Sequence, residues 1–132
     1  MMTELTEQEC RELLGATTVG RLGFVTDARV QIIPVNYLID GDDVVIRTAP
    51  SGLLRALPES TVGIAFEVDH HDDLAGSGWS VLLSGSVSEM TDDELAAVPG
   101  VTRRTPWAEG DRSLPLRFTP ASISGRRVRR PH

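Results

Sequence analysis

The chain has 132 residues, 19 of them acidic and 13 basic, for a net charge of −6. That length suits one domain with a single modest core, and the charge argues against a general nucleic-acid binder, which displays a basic surface. Every basic residue other than histidine is arginine, so a lysine Schiff base is excluded and a phosphate must be met by guanidinium, hydroxyl or main-chain N–H.

The N-terminus, MMTELTEQEC, is too polar and acidic for a signal peptide, and no apolar run approaches the roughly 20 residues that span a bilayer. TEQECRELLG carries a capping box in which Thr6 caps the helix and Glu9 reaches back; Cys10, Leu13 and Leu14 form its apolar stripe and Gly15 stops it. Cys10 is the only cysteine, which excludes an internal disulfide and suits a reducing cytoplasm. Its place on the apolar stripe favours a buried thiol.

Residues 17–48 are rich in Val, Ile, Phe and Tyr, broken at 27–29 and 41–43, where hairpin turns are expected. Over 32–38 both faces are apolar: Ile32, Pro34 and Leu38 on one, Ile33, Val35 and Tyr37 on the other. A strand apolar on both faces is covered on both, by a core and by a partner or ligand. Pro34 withdraws one ladder donor and marks an edge or an opening. RTAPSGLLRAL (47–57) leaves a strand through a bend into a short helix whose Leu53, Leu54 and Leu57 read as core.

STVGIAFEVD aligns Val62, Ile64, Phe66 and Val68 on one strand face, and GWSVLLSGSVSEM does the same for Trp79, Val81, Leu83 and Val87. Thr91 caps a second short helix, residues 99–112 read as a polar loop, and a last strand runs through Leu116 and Phe118. Many short antiparallel strands with a few small helices point to a small closed or half-closed β-barrel.

The ordered segments GRLGFVT (20–26), IIPVNYLIDGDDVVIRTAPSG (32–52), VGIAFEVD (62–69), GWSVLLSGSV (78–87) and TPASISGRRV (119–128) carry a further signal. Together they resemble the pyridoxamine 5′-phosphate oxidase-like family of flavin-binding split β-barrels, in its short bacterial form. The resemblance implies a mainly β, antiparallel split barrel of one domain over 1–132, with a helix near 6–15 and an arginine-rich tail over 125–132. It implies a homodimer with flavin mononucleotide (FMN) sites between the subunits and an oxidoreductase acting on a small molecule, with no nucleic-acid or membrane partner.

By position in the family pattern, Pro34, Val35 and Asn36 are expected along the isoalloxazine ring. Arg47 and Thr48 approach the ribityl chain and phosphate, and Ser51 and Gly52 offer donors to that phosphate. Trp79 and Ser80 reach a flavin edge, with the subunit that supplies them left open. The flavin carries the hydride chemistry in such proteins, so no catalytic acid or base is assigned. Leu53 stands where the family has a lysine. A charge-assisted hydrogen bond is worth roughly 1.5–3 kcal/mol, so its loss weakens binding about 10- to 150-fold. Arg47, Arg55, Arg126 and Arg127 are the candidate replacements. Two alternatives stay open: a deazaflavin-dependent reductase of the same fold, and a non-catalytic dimer or small-ligand sensor that has lost flavin binding.

Three other motifs take plainer readings. In DHHDD (69–73) adjacent side chains point to opposite sides of an extended chain, so a solvated acidic loop is expected rather than a metal site. GRRVRR (125–130) balances carboxylates rather than marking a nucleic-acid tail. No serine–histidine–aspartate arrangement is recognisable.

Overall fold

The computed structural model describes residues 1–48, 52–101 and 114–130. It begins with a strand absent from the sequence reading, β1 (Met2–Glu4), and then the helix α1 (Glu7–Leu14). The capping box closes as expected: Glu9 N donates to Thr6 Oγ1 at 3.1 Å, and Thr6 N donates to the Glu9 carboxylate at 2.9 Å. These bonds satisfy two of the helix's orphan donors and hold the Glu9 carboxyl below its usual range. Cys10 and Leu14 turn inward, and burial pushes the Cys10 thiol up.

β2 (Val19–Thr26), β3 (Arg29–Asp40) and β4 (Asp43–Thr48) form the meander read from the two breaks. The first turn is the pair Asp27 and Ala28, both at positive φ (51° and 61°), with Arg29 already in β3. Such a turn matches the right-handed twist of the flanking strands. A 3₁₀ helix (Leu53–Glu59) follows, then β5 (Ile64–Asp72), β6 (Ser77–Glu89), α2 (Asp92–Ala96) capped by Thr91, and β7 (Leu114–Val128).

The strands run β1-β7-β4-β3-β2-β5-β6, and β6 returns to pair with β7, which closes all but β1 into a barrel. The fold is therefore mainly β, an antiparallel split barrel. Alternation fills its interior with Leu22, Ile46, Phe66, Leu83, Leu116 and Phe118, all fully buried. Phe66 is central: it meets Tyr37 edge-on at 5.0 Å and Phe118 at 6.1 Å. Gly20 leaves room for its ring, since a Cβ there would lie 2.7 Å from Phe66 Cε1. Val45, Met90 and Val98, with Leu38 and Leu95 beside them, form a smaller cluster outside the wall under α2.

Several expectations are corrected. Val62 precedes β5 and is exposed, while Ile64, Phe66 and Val68 carry the buried face. The leucine-rich helix is 3₁₀ rather than α, with Pro58 inside it; its threefold repeat stacks Leu54 and Leu57 into the core and leaves Leu53 51% exposed. The arginine-rich segment is not a free tail through Val128, because 125–128 belong to β7 and pair with β6 and, over 126–128, with β1. β7 can serve both ends of the barrel because Ala121 is an extra residue, with the register stepping from Ser84↔Ser122 to Gly85↔Pro120. The polar loop expected at 99–112 lies, beyond Val101, outside the described residues.

Candidate functional site

The barrel opens where Pro34 forecast an edge. β3 pairs with β2 from Arg29 through Asn36, but with β4 only from Tyr37 through Asp40. Beyond the pair Tyr37↔Ile46 the two strands diverge, and β4 continues along β7 through Arg47↔Pro115 and Thr48↔Leu114. A fork results, with residues 29–36 of β3 as one margin, unpaired on that side among the described strands, and Arg47 on the other. Tyr37 anchors the crotch: its hydroxyl donates to the Leu14 carbonyl and lies 3.0 Å from Thr17 Oγ1. Burial raises its pKa, a shift that Thr17 partly opposes, so the phenol stays protonated and structural.

Strand alternation then fixes which expected site residues share a face. Pro34 and Asn36 point away from the core, whereas Val35 is buried in it. A planar ligand on the outer side would meet Val35 only through its main chain. Asn36 is nonetheless a buried polar residue, and it has an interaction partner. Arg47 follows the inward-facing Ile46, is exposed, and makes no ion pair among the described residues. Thr48 ends β4, and Gly52 and the exposed Leu53 open the 3₁₀ helix that follows. Ser51 lies outside the described residues.

Trp79 and Ser80 are elsewhere. They pair with Arg127 and Arg126 at the far end of β7, whereas Arg47 pairs with Pro115. Roughly 40 Å of strand path separates the two groups, at about 3.3 Å per residue. Trp79 lies partly buried against the core with its ring centroid 6.4 Å from that of His70, and Ser80 points to the opposite face. One protomer thus brings Pro34, Asn36, Arg47 and Thr48 to the fork, places Gly52 at the start of the 3₁₀ helix, and leaves Trp79 and Ser80 remote.

Sequence reasoning missed what lies between. The outer face of β2 and β3 exposes Val25, Val30 at 76% and Ile32 at 68%, with Pro34 beside them and Leu82 further across the sheet. Arg21 sits in the middle of this face, donating to Asp69 at 3.1 Å with Glu67 at 4.0 Å. The apolar character of Ile32 and Pro34 was legible; that Val25 and Val30 extend it needed the hairpin register. Arg117, which bonds Asp40 at 2.8 Å and Asp43 at 3.0 Å, was also unforeseen. Those bonds raise its already high pKa against a smaller opposing effect of burial, and they lock the far end of the β3–β4 hairpin to β7. Among the described residues no group of three His, Cys, Asp or Glu side chains is placed to hold a metal ion, and no helix is long and apolar enough to cross a membrane.

Comparison with known proteins adds an independent line. The family described as pyridoxamine 5′-phosphate oxidase matches residues 6–127. The chain is 33% identical over 100 residues to the uncharacterized protein Rv0080 of Mycobacterium tuberculosis, a match covering 73% of this chain and 66% of that protein, just under two thirds of its length. It is similar in structure to the FAD binding protein from Mycobacterium smegmatis, at 27% identity and TM-score 0.73, over 98% of this chain and 100% of the other. A FAD-binding protein from Mesorhizobium loti matches at TM-score 0.79 and 23% identity, over 97% and 99% of the two chains; at that identity the likeness bears on the fold.

Proposed function

The chain belongs to the pyridoxamine 5′-phosphate oxidase family, and from that premise we propose that it is a flavin-binding oxidoreductase that works as a homodimer. The carrying observation is the fork. An exposed guanidinium, Arg47, stands on one side of it without a carboxylate partner among the described residues, an engaged Asn36 stands on the other, and an apolar outer face continues along β3. A ligand with one anionic end and one flat, apolar end fits that distribution, because guanidinium matches phosphate and the margin of β3 suits a ring. Arg47 would hold the phosphate, with Thr48 and Gly52 supplying main-chain groups, and Pro34 and Asn36 would flank the ring. The bound flavin would supply a site for accepting and donating hydride.

The homodimer follows from the same face. Val25, Val30 and Ile32 leave apolar surface in water that a second copy would cover. It also follows from the remoteness of Trp79 and Ser80, which complete the site only if they come from the twin. The buried Cys10 thiol fits a cytoplasmic protein.

FMN is the flavin favoured here, because the groups around the fork account for one phosphate and one ring. FAD is the second reading, prompted by the M. smegmatis relative. A deazaflavin reductase and a non-catalytic dimer remain the alternatives, the latter favoured by the exposed Leu53 where a cation would stand. Titration of the flavin-free protein with FMN, FAD and deazaflavin, read by fluorescence quenching, separates them. FMN binding that falls at least tenfold in Arg47→Met supports the proposal. Binding of none of the three would overturn it.

A further inference from the structure

The fork has a short hinge. Four residue pairs, Tyr37↔Ile46 through Asp40↔Asp43, join β3 to β4, and the two margins leave directly from the first of them. Asn36 precedes Tyr37 in the chain and Arg47 follows Ile46. How far the margins stand apart therefore depends on how this ladder is held. Arg117 holds its far end to β7 through Asp40 and Asp43. Its near end, at the fork, is held by α1.

That helix is itself fixed. Cys10 and Leu14 are buried, and Leu5 N donates to the Gly125 carbonyl at 3.0 Å. A Cβ at Gly125 would lie 2.7 Å from Cys10 Sγ, so α1 rests directly on the main chain of β7. Two contacts run from α1 to the ladder. Arg11 reaches the Asp42 carboxylate at 3.3 Å and its carbonyl at 3.4 Å, in the exposed turn, where an ion pair is worth little. The Tyr37 hydroxyl instead donates inside the protein, to the Leu14 carbonyl, one of those that a helix end leaves without an intrahelical donor. Tyr37 is 2% exposed, so breaking this bond would strand a buried polar group. Of the two contacts, Tyr37 carries the coupling.

We infer that α1 is a positioning element of the fork and acts through Tyr37. The bond from the Tyr37 hydroxyl to Leu14 sets the stance of β3 against β4, and with it the separation of the Asn36 and Arg47 margins. Tyr37 does this from the core, without touching the ligand. The consequence for flavin rests on the proposed function; the effect on the fork does not.

Tyr37→Phe tests this, since it keeps the ring that meets Phe66 and removes the hydroxyl alone. The control is Ile64→Val on β5, a strand that pairs with β2 and β6, at a comparable cost in stability. Amide hydrogen exchange of the flavin-free proteins reads the fork directly. Tyr37→Phe should speed exchange in the β3–β4 ladder about 3- to 10-fold more than in the β5–β6 ladder, and Ile64→Val should not. Thr17→Val, which removes the hydroxyl's other neighbour, should act in the same direction by a smaller factor. FMN titration reads the consequence. Affinity should fall about 3- to 10-fold in Tyr37→Phe, with altered visible circular dichroism of the bound flavin at saturation, while Ile64→Val matches wild type in both. Exchange that is unchanged or rises evenly over both ladders in Tyr37→Phe and Thr17→Val would overturn the inference. So would FMN affinity and dichroism that Tyr37→Phe leaves unchanged or that Ile64→Val disturbs equally. A wild type that binds no flavin sinks the proposed function, and exchange alone then decides the role of Tyr37; flavin binding with an unaltered ladder does the reverse.

Discussion

The closed wall of this barrel and its open margin are made from similar residues and behave differently. Along β6 and β7 the inward side chains Val81, Leu83, Leu116 and Phe118 are fully buried, and the ladder runs unbroken except for the bulge at Ala121. Along β3 the outward Val30 and Ile32 lie in solvent and, among the described strands, the backbone has a neighbour on only one side from Arg29 to Asn36. Apolar residues on the wall are accounted for by the protomer itself. Those on the margin are not, and they sit next to the fork between β3 and β4 and to an arginine without an ion pair among the described residues. Stability is concentrated in the first region, and the proposed function puts recognition in the second.

The difference is open to substitution. Phe66→Ala, which empties the centre of the closed wall, should cost about 3–5 kcal/mol, read as a fall in the midpoint of denaturant unfolding. Ile32→Asp at the open margin should leave a diluted protomer's fold intact yet weaken self-association. Each copy forfeits an aliphatic burial worth about 1.5–3 kcal/mol, and sedimentation velocity across a dilution series would report it. Leu53→Lys, which returns a cation near the fork, should tighten FMN binding about 10- to 150-fold if the phosphate lies there, and leave the melting temperature of the flavin-free protein nearly unchanged.

The smallest effect concerns the hairpin tip that joins β2 to the margin. Ala28 carries a side chain at φ 61°, a conformation that costs a non-glycine residue about 1–2 kcal/mol. Part of that gain is returned as glycine's extra unfolded-state entropy. Ala28→Gly should therefore stabilise by about 0.5–1 kcal/mol, measured by thermal melts at matched concentration, without altering flavin affinity.

How far the molecule could be read from its residues differs between the same two regions. The wall was legible because alternation at period two names its buried side chains directly, as with Ile64, Phe66 and Val68, and because Thr6, Glu9 and Thr91 announce both helices by local chemistry. Even there the pattern overran the strand at Val62, since periodicity does not say where a ladder ends. β1 escaped notice because three polar-flanked residues make no pattern; only the edge of β7 defines it. The bulge at Ala121 is likewise a property of two strands in register.

The margin was half legible. Pro34 marked the opening, and the apolar residues on both faces of 32–38 marked an apolar outer face. The placement of Leu53 was misread because a 3₁₀ helix rotates it away from Leu54 and Leu57, as an α-helical count would not show. The candidate site was named residue by residue from resemblance, but which residues share a face depends on parity. Val35 and Trp79 face inward and Pro34 and Ser80 outward, a distinction no motif carries.

Sedimentation equilibrium with simultaneous detection of protein and flavin absorbance, on wild type and Ile32→Asp, bears most directly on the claim that two copies enclose the ligand at the β3 margin. Wild type should sediment at twice the chain mass with flavin at the same radius, and Ile32→Asp should sediment as a single chain with the flavin left in free solution. A single chain that carries its flavin down with it would contradict the account.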